Sequence, residues 1–175
     1  MSNAGIPHHK VLLFGSKDLS TIPQEMANHI AQIIEVTQGD VEFIVSDSPG
    51  IATSLQKLLA MLGCMSKTTV YTMDVTKNNT YDMPERKFTS KHNADKQKTT
   101  IFNPEGEELA EIEGIKNEED IYANPAYYDV RDKEMCRDCT FAICFWDGMS
   151  RSTLRNVDRL KAQQKAVYIY QAKIY

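Results

Sequence analysis

Phe141-Ala142-Ile143-Cys144-Phe145-Trp146 is an unbroken apolar run. It stops at Asp147-Gly148, passes through Met149-Ser150-Arg151-Ser152-Thr153, and enters the helical pattern Leu154-Arg155-Asn156-Val157-Asp158-Arg159-Leu160. A run without polar alternation fits a strand buried on both faces, as strands of parallel sheets are. The turn that follows is rich in hydroxyls, carries one arginine and leads straight into a helix. The unpaired N–H groups and dipole of a helix start favour an anion. Strand, loop and helix in this order define an α/β chain that presents an anion-binding loop at the end of a buried strand.

The flanking sequence repeats the theme. Val11-Leu12-Leu13-Phe14 is a short buried strand stopped by Gly15. Ile22, Met26, Ile30, Ile33 and Ile34 then recur at helical spacing through Val36. Gly39-Asp40 makes a turn into a second strand, Val41 to Val45, and Ser46-Asp47-Ser48-Pro49-Gly50 forms the next loop. Ile51 to Leu62 reads as a helix ended by Gly63, and Thr69 to Met73 as a third strand. A short helix from about Asp132 to Cys139 leads into the Phe141–Trp146 strand. A helix from Ser152 to about Gln163 and a strand from Ala166 to Tyr170 complete the series. This order predicts a Rossmann-like three-layer sandwich with a mainly parallel five-stranded sheet, ordered 3-2-1-4-5. Ligands bind such sheets beyond the strand C-termini, at the switch between the first and fourth strands.

Between the third and fourth strands, from about residue 74 to 124, the periodicity fails and charges segregate. Lys87, Lys91, Lys96 and Lys98 come first; Glu105, Glu107, Glu108, Glu111, Glu113, Glu118, Glu119 and Asp120 follow. Thr99-Thr100-Ile101-Phe102 and Leu109-Ala110-Glu111-Ile112 flank Asn103-Pro104-Glu105-Gly106, the pattern of a β-hairpin. The segment reads as a lid, an edge hairpin or a dimer element, with a solvated, partly disordered insertion as the bland alternative. Residues 1–9 read as a tail, with Met1-Ser2-Asn3-Ala4 resembling an expression scar, and 10–175 as one domain.

Composition narrows the function classes. At 175 residues the chain is long enough for one substantial core. A formal charge of −4 supplies no net basic field for a general nucleic-acid binder. No apolar run approaches the ~20 residues needed to span a bilayer. Cys136 and Cys139 form a C-x-x-C, but a structural zinc site needs a second pair of ligands, which Cys64 and Cys144 do not make. Reduced cysteines in a cytoplasmic protein, with no metal, are the expectation.

The predicted switch point places Gly15-Ser16-Lys17 beside the loop from Asp147 to Thr153. Gly15 and Gly148 allow close backbone approach. Ser150, Ser152 and Thr153 offer hydroxyls, Arg151 a bidentate phosphate contact, and Lys17 a point charge. Ser48-Pro49-Gly50, opening the second helix, is a third helix start facing the same edge. Asp147 suits a ribose hydroxyl, a base amine or the backbone of its own loop. The plain alternatives stay open: Ser152 or Thr153 as a helix N-cap, Arg151 as a solvated loop residue, Trp146 as core rather than a base-packing ring.

Phe145-Trp146-Asp147-Gly148-Met149-Ser150-Arg151-Ser152-Thr153 resembles the Trp-Asp-Gly-x-Ser-x-Gly-Thr loop of one branch of the SLOG superfamily. That superfamily includes the Lonely Guy phosphoribohydrolases and the lysine-decarboxylase-like proteins. Gly15-Ser16-Lys17-Asp18 is similar to the branch's Gly-Ser-Arg/Lys-Asp, and Ser46 to Ala52 occupies the place of its Gly-rich turn. Arg131-Asp132-Lys133-Glu134-Met135 is similar to its Lys/Arg-Asp-x-x-Met. The resemblance spans nearly the whole chain outside the insertion. It implies a Rossmann-like domain, commonly a homodimer, that binds a nucleotide or nucleotide-derived ligand. By position it implies binding roles for Gly15, Ser16 and Lys17 in one loop and for Gly148 to Thr153 as the phosphate loop, with Arg131 reaching the pocket from the preceding helix. Asp47, Ser48 and Gly50 of the loop after the second strand, and Asp147, complete the candidate binding residues.

The departures shape the functional expectation. Ser152 stands where the branch has glycine, Ser46 where the turn has glycine, and Ala52 where many relatives carry an acid. The phosphoribohydrolases place a catalytic glutamate three residues after the loop threonine; here that residue is Asn156. An amide hydrogen-bonds a sugar but is no general base near neutral pH. The expectation is therefore a non-catalytic module that binds or senses a nucleotide-type ligand and requires no further cofactor. An N-ribosyl hydrolase or transferase using Asp147, Asp47 or an acid of the insertion is the alternative, and an interaction protein that has lost its ligand a third.

Overall fold

The computed structural model describes residues 8–76 and 78–172, so residues 1–7 of the expected tail lie outside the described residues, while His9, its last residue, opens the first strand of the sheet. Strands β1 (His9–Gly15), β2 (Val41–Ser46), β3 (Thr68–Met73), β4 (Glu85–Asn93), β5 (Lys98–Phe102), β6 (Glu108–Glu113), β7 (Phe141–Trp146) and β8 (Val167–Gln171) form one eight-stranded sheet. Its order is β6-β5-β4-β3-β2-β1-β7-β8. The helices are α1 (Gln24–Val36), α2 (Ile51–Met61), α3 (Glu118–Tyr122), α4 (Pro125–Asp138) and α5 (Arg151–Ala162).

Continuous apolar strands arise because both faces of the sheet are covered. On β1, Val11 and Leu13 face α1 and α2 with Met26, Ile30, Leu55 and Leu59. Leu12 and Phe14 face the other way, into a core shared with Met135, Val157 and Leu160. All of these side chains are fully or almost fully buried. The molecule is thus an α/β sandwich of helix, mainly parallel sheet and helix.

The expectation of five strands is corrected to eight. The five anticipated strands are present and parallel in the sub-order β3-β2-β1-β7-β8. The insertion adds three more beyond β3. β4 runs parallel to β3, from Val70 opposite Glu85 to Met73 opposite Phe88. β5 and β6 then return antiparallel, as the Pro-Glu-Gly hairpin pattern predicts. β4 escapes a hydrophobic reading because Phe88 is its only fully buried residue. Some of the segregated charges meet across strands: Lys98 lies 3.7 Å from Glu111 and 3.4 Å from Glu113, whereas Lys87 pairs with Glu85 of its own strand.

α4 begins well before the anticipated Asp132. Asn124 accepts a hydrogen bond from the Ala126 N–H at 3.0 Å, with Pro125 at the first helical position. This longer helix packs over β1, β2 and β3 and carries Arg131 to the loop after β2. Cys136 and Cys139 lie at its far end as buried free thiols. Burial pushes them up to about 12 and about 11, an inert setting rather than a reactive one. Among the described residues, no helix is long and apolar enough to cross a membrane.

Candidate functional site

The loop between β7 and α5 is built largely from its own polar groups. One carboxylate oxygen of Asp147 accepts the N–H of Met149 at 2.8 Å and of Ser150 at 2.7 Å. Those two bonds hold the carboxyl below its ordinary range. Of the three roles open to Asp147, bracing its own backbone is the one this geometry occupies. Ser150, not Ser152 or Thr153, is the N-cap of α5: its Oγ accepts from the Thr153 N–H at 3.4 Å and the Thr153 Oγ1 at 3.0 Å. The Trp146 indole N–H donates to Ser150 O at 3.2 Å, so the ring serves as a strap beside the core. Gly148 sits at φ +82°, with the flexible end of the Gln171 side chain over it.

The loop after β1 joins this structure directly. Ser16 is buried; its Oγ accepts the Asp147 N–H at 3.1 Å and lies 3.4 Å from Thr153 Oγ1. Its own N–H donates to Phe145 O at 3.0 Å. The predicted meeting of the first and fourth strands' loops is therefore observed. Thr153 is buried with Ser16 and belongs to the joint, whereas Lys17, Met149, Arg151 and Ser152 are exposed.

The loop after β2 is organised differently. Asp47 has no exposed surface, and Arg131 donates to one of its oxygens at 2.7 Å. Its other oxygen accepts the Met73 N–H at 3.1 Å and the Thr76 hydroxyl. Arg131 also donates to Ser48 Oγ at 2.9 Å and to Asp132 at 3.2 Å, and it lies 5.6 Å from the Tyr128 ring centre. Burial opposes the guanidinium's charge, but Asp132 and Asp47 outweigh it and hold the group above the ordinary arginine range. The implied reach of Arg131 into a ligand pocket is thus taken up by Asp47, Ser48 and Asp132.

The start of α2 is covered as well. Gly50 has φ +80°, and a Cβ there would overlap the carbonyl oxygen of Lys17. Ser54 Oγ donates to Ser20 O at 2.5 Å, so the loop after β1 lies across this helix end. The third helix start anticipated at Ser48-Pro49-Gly50 is accordingly closed by backbone, not presented to a ligand.

Asn156 is buried one turn beyond Thr153. Its amide donates to Asp132 at 3.2 Å and its oxygen accepts from Arg159 at 2.7 Å. Arg159 continues to Asp129 at 2.5 Å. A polar chain therefore runs from Asp47 through Arg131, Asp132, Asn156 and Arg159 to Asp129, tying α4 to α5 beneath the loops. Asp129 and Arg159 are the residues that sequence reasoning missed, and Asp132 entered it only as part of the Arg131–Met135 resemblance; ion pairing between distant segments leaves no local signal. Two open clefts of about 500 and 290 Å³ lie elsewhere, along Glu85, Lys87 and Thr89 of β4.

No protein-family model matches this chain, and no curated protein sequence matches it.

Proposed function

We propose that this protein binds a phosphate-bearing, nucleotide-type ligand at the β7–α5 loop, without chemistry on it. The observation that carries the reading is the division of labour in that loop. Asp147, Ser150, Ser16 and Thr153 fix its shape, while the first turn of α5 keeps N–H groups that no helical carbonyl can reach. Arg151, Ser152 and Lys17 are exposed around that turn. A preformed helix start with an arginine, a lysine and a hydroxyl at its rim suits a phosphate. The SLOG resemblance adds the nucleotide class, and the four free thiols fit a reducing, cytoplasmic setting.

The engagement of the candidate acids favours binding over catalysis. Asp47 is sealed in an ion pair, Asp147 is held ionised by its own loop, and Asn156 is an amide within a buried network. None is a free carboxyl poised to protonate a leaving group.

Calorimetric titration with nucleoside monophosphates, diphosphates, ADP-ribose and cyclic nucleotides, beside the parent nucleosides, tests this reading. Binding is expected for at least one phosphate ester and not for its nucleoside, and Arg151→Ala is expected to weaken it about tenfold. Absence of heat with every phosphate ester, or an Arg151→Ala affinity equal to wild type, would overturn the proposal. Cleavage of the ester during incubation would restore the enzyme reading.

A further inference from the structure

The two outer strands of the sheet are built differently. β6 carries Glu108, Glu111 and Glu113, and charge along an edge discourages a further strand. β8 is Val167-Tyr168-Ile169-Tyr170-Gln171, with no charge, proline or register shift. Tyr168 and Ile169 are 48% and 40% exposed.

Pairing with β7 determines which backbone groups of β8 face outward. The Ala142 N–H donates to Ala166 O at 3.0 Å, and the Ala172 N–H donates to Trp146 O at 2.8 Å. Residues 166, 168, 170 and 172 therefore turn their backbone polar groups toward β7. By alternation, the N–H and C=O of Val167, Ile169 and Gln171 point away from the sheet. Among the described residues no strand takes them up.

We infer that β8 is a self-association edge, pairing antiparallel with β8 of a second copy about a two-fold axis at Ile169. Reversal about that residue sets Val167 opposite the second copy's Gln171 and Ile169 opposite its equivalent. With the symmetry-related Gln171–Val167 pair, all three fall at hydrogen-bonding positions. Tyr168 then faces the second copy's Tyr170 at the non-hydrogen-bonded positions, where side chains come closest and aromatic pairs add most. Both tyrosines lie on the α1 side: the His29 ring packs edge-on to Tyr168 at 4.9 Å, and His29 Nδ1 is 2.8 Å from Tyr170 Oη. The strand thus matches its own reverse in its outward backbone groups, in its two tyrosines about the central Ile169 and in its lack of charge; only Val167 against Gln171 pairs unlike side chains. An isologous contact requires that property, and an unrelated partner does not. The second copy is accordingly the occupant.

Cysteine crosslinking reads the register directly. At a hydrogen-bonded antiparallel pair the Cα atoms sit about 5.5 Å apart, within disulfide range. Two copies of residue 167 would be separated by roughly 13 Å along the strands. The native cysteines are buried and stay out of the reaction. With diamide as the two-electron oxidant, Ile169→Cys is expected to form covalent dimer at least about tenfold faster than Val167→Cys. Sedimentation should show a wild-type dimer at tens of micromolar and a monomer for Ile169→Pro, which removes an outward N–H. If Ile169→Pro does not fold, Ile169→Lys sets like charges face to face and should give the same monomer. A monomeric wild type, equal crosslinking at 167 and 169, or an undiminished dimer in the folded variant would overturn the inference.

Discussion

The loops that follow β2 and β7 end neighbouring parts of one sheet edge, yet they use their polar residues in opposite ways. The β2 loop turns its charge inward: Asp47 is fully buried, Arg131 is 4% exposed, and each meets several partners. The β7 loop turns its one carboxylate on itself and leaves Arg151 and Ser152 in solvent. One loop is a structural clasp and the other a presentation platform. A charged residue near a strand C-terminus is therefore not by itself a ligand contact; what matters is whether its hydrogen-bonding capacity is already consumed.

Removing the clasp should have the largest effect. Arg131→Ala would leave Asp47 buried without its cation and free Ser48 and Asp132 from their shared donor. Breaking one side of a buried pair costs about 3–5 kcal/mol. Thermal or urea unfolding of the variant should show a loss of that size, enough to unfold a marginal domain. A loss under about 1 kcal/mol would mean that Arg131 is available to a ligand after all.

The two positive-φ glycines separate the loops a second way. At Gly50 (φ +80°, ψ −125°) a methyl group meets the main chain of Lys17, which cannot swing aside. Gly50→Ala is expected to cost about 3 kcal/mol in unfolding experiments, through backbone strain and overlap together. At Gly148 the neighbour is the end of the Gln171 side chain, so Gly148→Ala should cost only about 1 kcal/mol. Equal losses at the two sites would erase the distinction between clasp and platform.

Much of this architecture was legible in residues. The runs at Val11–Phe14, Val41–Val45 and Phe141–Trp146 are buried on both faces, so their pattern survives without context. The hairpin around Asn103 to Gly106 was readable from its turn. β4 was not, because eight of its nine residues are polar and its place beside β3 depends on long-range pairing. α4 starts before its apolar pattern does because Asn124 caps it and Pro125 takes its first position, a signal carried by cap chemistry and not by periodicity. At the site, the meeting of Ser16 with the β7 loop followed from strand order. The capture of Arg131 by Asp47, 84 positions away, did not: one sequence shows the charges but not who sits opposite.

The smallest effect, and the one that tests the platform most directly, belongs to Asp147. If its carboxylate is the loop's brace, Asp147→Ala should lower stability near neutral pH by about 1 kcal/mol, modest because the group is half exposed. Asp147→Asn should retain most of the bracing, since an amide oxygen also accepts the Met149 and Ser150 N–H groups. The pH dependence separates charge from shape. The folded carboxyl titrates below its unfolded value. The contribution is therefore complete above the unfolded value, about 3.9, and is lost as pH falls through the folded one. The gap between wild type and Asp147→Ala in chemical denaturation should accordingly narrow below about pH 4, whereas Asp147→Asn should behave as a pH-independent brace over the same range. A gap that is absent at neutral pH would show a carboxylate not committed to its loop. Asp147 would then be free to face a ribose or a base amine, and the contrast between the two loops would collapse.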